Sequence, residues 1–319
     1  MSRALPRATA GEGHAVIADP PRSTQARILI PFAIVTLIWG STWIVIRDQI
    51  GLVPASWSVS YRFLVAGLVM LGVALVRREP LRLDVRGWGF AAAMGLFQFC
   101  LNFNFVYRAE AYITSGLVAV VFALLLVPNA LLGRIFLGQR LGAQLLAGSA
   151  IAVSGVALLF VHEARADHAA GGAVAAGIGF TLAGVLSASV ANVMQATQTA
   201  RRYPMAPMLA TGMLIGAAID AAYAWATSGP PAFDWRWSYA AGILYLGVFA
   251  SALAFTLYFG IIRVIGPAKA AYSGVIVPVI AMLLSTVFEG YRWSPLAGAG
   301  AALAMVGLVV ALRARRPAR

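Results

Sequence analysis

The stretch LVAVVFALLLV, residues 117–127, is an unbroken apolar run. With its flanks it forms an apolar segment over 112–133, which is long enough to cross the roughly 30 Å hydrocarbon layer of a bilayer as a helix rising about 1.5 Å per residue. Barrel strands that cross membranes have about 10 residues of alternating polarity, and a continuous run of this kind excludes them. The stretch therefore predicts a membrane-spanning α-helix.

The same rule, applied along the whole chain, predicts an all-α integral membrane protein. The gaps between the apolar segments are short and leave no room for a soluble domain. The ten predicted transmembrane helices are 28–46, 57–76, 87–106, 112–133, 142–161, 173–196, 205–226, 238–259, 268–288 and 295–312.

Composition agrees with a membrane protein. Of the 319 residues, 61% are hydrophobic and 11% are charged, against roughly 25% charged residues in soluble domains. The net charge of +13 could indicate nucleic-acid binding, but the charges lie in the short gaps between apolar runs. We therefore expect membrane lipid and a small molecule as partners, and no nucleic acid. The single cysteine, Cys100, cannot form an internal disulfide, and no cofactor or metal pattern is present.

Positive residues alternate between the gaps, and this alternation predicts the orientation. One side holds eighteen of the 24 Lys and Arg residues and the other side holds five, while Arg62 lies inside the second helix. We expect a multi-pass protein of the inner membrane with both termini in the cytoplasm. Residues 1–27 are predicted to be a disordered cytoplasmic tail, and 313–319 a basic cytoplasmic tail.

The chain also repeats itself. VPNALLGRIFLGQR, residues 127–140, and VPVIAMLLSTVFEG, residues 277–290, are offset by 150 positions, and each precedes a helix rich in Gly and Ala. Five helices separate the copies, so the two halves must have opposite orientations, which is the inverted-repeat plan of many transporters. The predicted repeats are 28–161 and 173–312.

Several short motifs occur in a fixed order: IWGSTW (38–43), SYRFLVAG (60–67), YITSGLVAVVFALLLVPN (112–129), FLGQRLGAQLLAG (136–148) and IGPAKAAYSGVIVPVIAMLLSTVFEG (265–290). Together they resemble the EamA type of the drug/metabolite transporter superfamily. The resemblance implies a ten-helix bundle with a central cavity between the halves, and export or exchange of amino acids, related metabolites or drugs. The family usually has Gly-Glu-Arg after the fourth helix. This chain has Gln139 there, and it keeps the corresponding acid of the second half as Glu289.

Polar side chains inside apolar helices usually face a cavity or a partner. Hydroxyl, indole and amide groups of the first, third and sixth helices are the cavity candidates, and packing or bonding between helices is the alternative role. Amides both donate and accept hydrogen bonds, so they suit a polar neutral or zwitterionic substrate. These residues are Trp39, Ser41, Thr42, Trp43, Gln98, Asn102, Ser189, Asn192 and Gln195.

Arg62 and Asp220 are the two charged residues predicted within spans. Arg62 could bind a substrate carboxylate or extend to the headgroups. Asp220 could carry a proton or contact an amine. An Arg62–Asp220 ion pair is a third alternative, because both lie at similar depth.

The last helices offer further candidates. Tyr272 is assigned to the cavity, whereas the position of Tyr258 near a helix end favours an interface anchor. Pro128 and Pro278 could be hinges or static kinks, and Glu289 is assigned a structural role. The small residues Gly212 and Gly216 predict close packing, either within the chain or in a homodimer.

Transport is the leading function. A membrane-embedded enzyme would need clustered His, Cys or acids in the spans, and a channel would need charge rings or a carbonyl filter; the sequence displays neither. A ligand sensor without transport activity remains an alternative.

Overall fold

The computed structural model describes residues 22–139, 142–166, 171–271 and 273–312, and within these ranges the chain is helical with no β-strand. Ten long helices are present in this part of the chain: α1 Arg22–Asp48, α2 Ala55–Val76, α3 Val85–Glu110, α4 Ser115–Leu137, α5 Ala143–Ala166, α6 Gly171–Gln195, α7 Met205–Ser228, α8 Trp237–Ile265, α9 Ser273–Phe288 and α10 Pro295–Leu312. Two short helices, Gln198–Arg202 and Pro267–Ala270, lie in the connections.

Seven helices of the described chain are long and apolar enough to cross a membrane, namely α1–α4 and α6–α8. The other three contain shorter apolar segments, Ala143–Leu159, Ile276–Phe288 and Pro295–Ala311. Each of the ten predicted segments overlaps one of the ten long helices.

Some predicted boundaries are wrong. Residues 22–27, assigned to the tail, begin α1, while 1–21 and 313–319 lie outside the described residues. Helices α1, α3 and α8 continue past their apolar runs to Asp48, Glu110 and Ile265. Hydropathy falls at the charged ends of α1 and α3, although the backbone remains helical there. As a result Arg47 and Glu110 are helical residues, and Glu110, like Asp220, is an acid within a helix long and apolar enough to cross a membrane.

Helix contacts have the same pattern in both halves of the chain. Helix α1 packs on α8 and α9, and α6 packs correspondingly on α3 and α4. Helix α2 packs on α7 and α8, and α7 packs correspondingly on α2 and α3, while α5 pairs with α10. Exchanging each helix of the first half with the helix five places later in the second half therefore reproduces the same set of contacts.

Small residues allow these close approaches. A Cβ on Gly216 would lie 2.8 Å from the Cβ of Phe99, and a Cβ on Gly95 would lie 2.8 Å from the carbonyl oxygen of Gly212. The pair Gly212 and Gly216 therefore packs within the chain, against α3. Between α5 and α10, the backbones meet at Gly155 and Gly307.

Helices α3 and α8 each contain a π-helical segment, Gly95–Leu101 and Val248–Leu253 respectively. A π segment leaves the regular i→i−4 bonding of the helix and often occurs at functional sites. Helix α4 contains a tight 3₁₀ turn at Ala123–Leu125, just before the half-buried Pro128. Pro278 is buried within α9. Both prolines therefore lie in helices at the centre of the bundle.

The two ends of the bundle can be named by one residue each. The Glu289 end holds the last residues of α1, α3 and α9 and the first residue of α4. The Arg263 end holds the last turns of α6 and α8 and the start of α3. There Asp84 caps α3, and hydrogen bonds from the Tyr203 hydroxyl and the Gly87 amide hold the pKa of the Asp84 carboxyl below its usual value.

Candidate functional site

A cavity of about 100 Å³ lies between the two halves of the bundle, which is several times the space that one water molecule needs. Both halves contribute to its wall. Eight of the residues that the sequence assigned to the cavity or to a hinge line it: Trp39, Thr42, Trp43, Arg62, Gln98, Asn102, Asn192 and Pro278. Most of the remaining wall is apolar or aromatic.

Among the described residues of the lining, Arg62 is the only charged one, and it is 1% exposed. Its Nε donates to Ser251 Oγ at 2.9 Å, and its guanidinium carbon lies 4.1 Å from the centre of the Phe103 ring, which is cation–π geometry. Its Nη1 is buried and has no hydrogen-bond partner in the described part of the chain. Arg62 therefore does not extend to the headgroups, and it has a donor left over for a ligand.

The π segment of α8 positions both Arg62 and Trp39. It carries Ser251, which accepts the bond from Arg62, and Ala250, whose carbonyl accepts from Trp39 Nε1 at 3.1 Å. Trp39 also packs on Phe255 and Tyr258, with ring centres 5.3 and 4.8 Å apart. One wall of the cavity is therefore a fixed aromatic surface.

Two amides of α3 face the same space. Gln98 and Asn102 are 3% and 2% exposed and line the cavity, and their oxygens Oε1 and Oδ1 are buried without a hydrogen-bond partner among the described residues. Asn192, on α6, also lines the cavity and makes a long 3.5 Å contact with Asn129. A buried polar atom without a partner is costly, so these oxygens are sites where a ligand donor would be stabilised.

Five of the predicted cavity residues are not placed in the lining. Ser41 bonds the Tyr245 hydroxyl at 2.7 Å and the carbonyl of Ile38. Gln195 accepts from Arg263 at the Arg263 end. Ser189 is fully buried outside the lining. Asp220 belongs to the separate cluster described next, and Tyr272 lies outside the described residues.

Asp220 belongs to a polar cluster between α2, α3 and α7. Its Oδ1 accepts from Asn104 Nδ2 at 2.6 Å, and Asn104 Oδ1 accepts from the Ser56 hydroxyl at 2.5 Å. Arg62 bonds Ser251 instead, and none of the ion pairs within the described ranges joins it to Asp220. The Arg62–Asp220 pair is therefore absent from this structure, in which both residues are described.

Sequence reasoning missed several lining residues. Tyr258 is 3% exposed and lines the cavity, so its assignment as an interface anchor is wrong. Helix α8 continues past the predicted end at residue 259 to Ile265, so Tyr258 lies within the helix and not near its end. Phe103 and Val106 also line the cavity. They continue the helical face that begins with Gln98 and Asn102, so an extended periodicity search would have found them.

Charged residues form a cluster at the Glu289 end of the bundle. The Glu289 carboxylate accepts from Ser115 Oγ at 2.6 Å and from the Ser115 amide at 3.3 Å, and it lies 3.5 Å from Arg47 Nε. A carboxylate at the first residue of α4 also complements the helix dipole. Arg47 in turn donates to the backbone carbonyl of Glu110. Glu289 therefore joins α9 to α4 and α1.

Known proteins resemble this chain over most of its length. Protein PagO of Salmonella typhimurium is 24% identical over 281 residues, covering 85% of this chain and 88% of PagO. The probable terminal-alkyne amino-acid exporter of Streptantibioticus cattleyicolor is 28% identical, covering 85% and 89%. The uncharacterized inner membrane transporter YedA of Escherichia coli K12 is 29% identical, covering 80% of each chain.

A solved crystal structure has the same fold, with a TM-score of 0.66 and 23% identity, covering 90% of this chain and 97% of the other. The model of the EamA-like transporter family matches the chain twice, over residues 27–161 and 175–313. The two matches together span far more than half of the sequence. The chain therefore belongs to the EamA-like transporter family, and it is a membrane transporter rather than an enzyme.

Proposed function

We propose that the cavity binds small organic molecules that combine a carboxylate with an apolar body, such as amino acids and related metabolites. The observation that carries this proposal is the buried Arg62, whose Nη1 has no partner among the described residues, in a cavity walled by Trp39 and Phe103. A guanidinium in an apolar site binds a carboxylate through two parallel hydrogen bonds. The aromatic wall then accommodates the rest of the ligand.

The amide oxygens of Gln98 and Asn102 extend the same argument. Both are acceptors that no described residue satisfies, so they suit the ammonium or amide donors of a zwitterionic ligand. The name of the relative from S. cattleyicolor, a probable terminal-alkyne amino-acid exporter, is consistent with such a ligand and supports export as the direction.

In this proposal the protein spans the inner membrane ten times, as two inverted five-helix repeats over 28–161 and 173–312, with both termini in the cytoplasm. The equivalent helix contacts of the two halves support the repeat. Transport then proceeds by alternating access, in which the Glu289 end and the Arg263 end open in turn. A homodimer and a lipid-binding surface are compatible with this arrangement, and the proposal needs neither. The other candidate, a ligand sensor, would bind the same molecules without net flux.

The test is transport by the purified protein in liposomes, with a panel of labelled amino acids, organic acids and neutral metabolites, with and without a pH gradient. Arg62→Lys should weaken the apparent affinity for carboxylates about 10- to 100-fold, because a charge-assisted hydrogen bond contributes about 1.5–3 kcal/mol. Substrates without a carboxylate should be unaffected, and Arg82→Lys, an exposed change outside the cavity, is the matched control.

Wild-type carboxylate transport in Arg62→Lys would contradict the assignment of Arg62. Binding of a panel member without any flux, in liposomes shown to contain folded protein, would favour the sensor instead.

A further inference from the structure

Glu110 is a buried acid that the cavity does not use. It is the last residue of α3, it is 0% exposed, and both of its carboxylate oxygens lack a hydrogen-bond partner in the described part of the chain. Arg47 reaches the same residue but donates to its backbone carbonyl, while its Nε faces Glu289. The structure therefore brings a cation close to Glu110 without pairing it to the carboxylate.

The charged neighbours of Glu110 come from three helices. They are Glu289 on the end of α9, Arg47 on α1 and Arg62 on α2, and Tyr107 lies one turn earlier on α3 itself. Each neighbour has another partner. Glu289 is bound by Ser115, Arg62 donates to Ser251, and the Tyr107 hydroxyl donates to Gln49 at 2.7 Å.

An ionised carboxylate in this place would have no hydrogen bond from a described residue and would lie beside a second carboxylate. Burying an unpaired charge costs several kcal/mol, and in practice such a group is neutralised instead. A neutral carboxylic acid avoids both the desolvation and the repulsion from Glu289. The arrangement of this end thus fits Glu110 in its protonated form.

We propose that Glu110 is a proton-binding site, and that the Glu289 end of the bundle closes only when Glu110 carries its proton. Opening separates α9 from α4 and α1, which breaks the contacts of Glu289 with Ser115 and Arg47 and admits water. The O–H bond of the Glu110 carboxylic acid then breaks, the proton passes to that water, and the carboxylate left behind becomes a partner for the freed Arg47. Closure reverses these steps and takes one proton from the same aqueous side.

The proposal depends on the proposed function only in that this end opens during alternating access. It can be tested without a substrate. Two cysteines are introduced by Leu52→Cys and Arg292→Cys, at exposed positions of the Glu289 end, in a Cys100→Ala background. Spin labels attached to them report the distance between the two halves in liposomes by electron resonance.

In the labelled protein with Glu110 intact, the short distance between the two spin labels should dominate at low pH. A longer distance between them should become more populated as pH rises. Glu110→Gln, which is neutral at every pH, should abolish that shift and keep the short distance. Asp220→Asn is the matched control, since it neutralises another buried acid on a different cluster, and it should leave the shift intact.

A shift that survives Glu110→Gln, or one that is lost in Asp220→Asn instead, would overturn the proposal. So would a distance that does not respond to pH, or one that responds to Na⁺ at constant pH. If Glu110→Gln does not fold, infrared spectroscopy of the Asp220→Asn protein decides the matter: the carboxylic-acid C=O band of a buried acid should be present in the closed form, and its absence would contradict the proposal. Transport without any pH response would refute this inference while leaving the proposed function standing.

Discussion

The side chain of Arg62 is held in place by its neighbours and still has a hydrogen-bond donor that could bind a ligand. Its Nε is held by Ser251, its planar group lies over Phe103, and its Nη1 has no partner among the described residues. Desolvation makes such an arrangement expensive, and a ligand carboxylate would offset that cost. Arg62 Nη1 is therefore the atom at which the carboxylate of the proposed substrate would bind.

At the scale of single residues, substitution of Gln98 or Asn102 on α3 distinguishes a role in ligand binding from a role in protein stability. Gln98→Ala and Asn102→Ala should each reduce transport by several-fold or more, because a ligand donor loses its acceptor. Folded yield and thermal stability should stay near wild type, because neither oxygen has a hydrogen bond from a described residue to lose. Flux assays and thermal unfolding in detergent measure the two quantities.

Ser187→Ala serves as the control for those variants. Its hydroxyl bonds the carbonyl of Ala183 on its own helix and lies outside the cavity, so transport should not change. A loss of stability in proportion to the loss of transport in Gln98→Ala would instead assign the amides a role in helix packing.

At the scale of elements, helix-to-helix distance is set by glycine. On α10, a Cβ at Gly307 would overlap the backbone of Ala152 on α5, whereas a Cβ at Gly298 would meet nothing within 4 Å. Gly307→Ala should therefore destabilise the protein by about 1–3 kcal/mol through overpacking. Gly298→Ala, on the same helix, should be neutral or stabilising by about 0.5–1 kcal/mol, since alanine is the better helix former. Thermal unfolding of both variants in the same detergent tests this, and equal shifts would show that α5 and α10 are not in close contact.

The π segments are the other feature of this scale. They interrupt α3 and α8 at corresponding places and carry Gln98, which lines the cavity, and Ser251, which accepts a hydrogen bond from Arg62. Periodicity along the sequence cannot reveal them, because an extra residue in a helical turn changes the facing side chains without changing composition.

At the scale of the whole molecule, the two ends of the bundle differ in charge. The Glu289 end is joined by carboxylate contacts to Ser115 and Arg47. In the first half of the chain, Gln139 occupies the position equivalent to Glu289. At the Arg263 end, a hydrogen bond from Arg263 to the uncharged side chain of Gln195 joins α8 to α6. The two ends therefore differ in their expected response to pH, even though their helix contacts are equivalent.

The prediction at this scale concerns orientation. The distribution of Arg and Lys predicts that both termini lie in the cytoplasm. Tags on either terminus should react with a membrane-impermeant reagent only after the inner membrane is opened, and a tag inserted within 162–172 should react in intact spheroplasts. Termini on opposite sides would contradict the ten-helix arrangement.

The sequence by itself determined the membrane class, the helical content and the family, since these depend on apolar length, charge placement and motif order. It also found Trp39, Arg62, Gln98 and Asn102, because polar residues are rare in apolar helices and therefore conspicuous. It did not place Tyr258 in the cavity, because the predicted helix ended at residue 259 whereas α8 continues to Ile265. It left Glu110 outside the spans, because hydropathy falls at the polar end of α3 while the helix continues. Only the tertiary structure decided that Arg62 bonds Ser251 and not Asp220. The hydropathy of a helix does not tell which of its faces packs against which neighbouring helix.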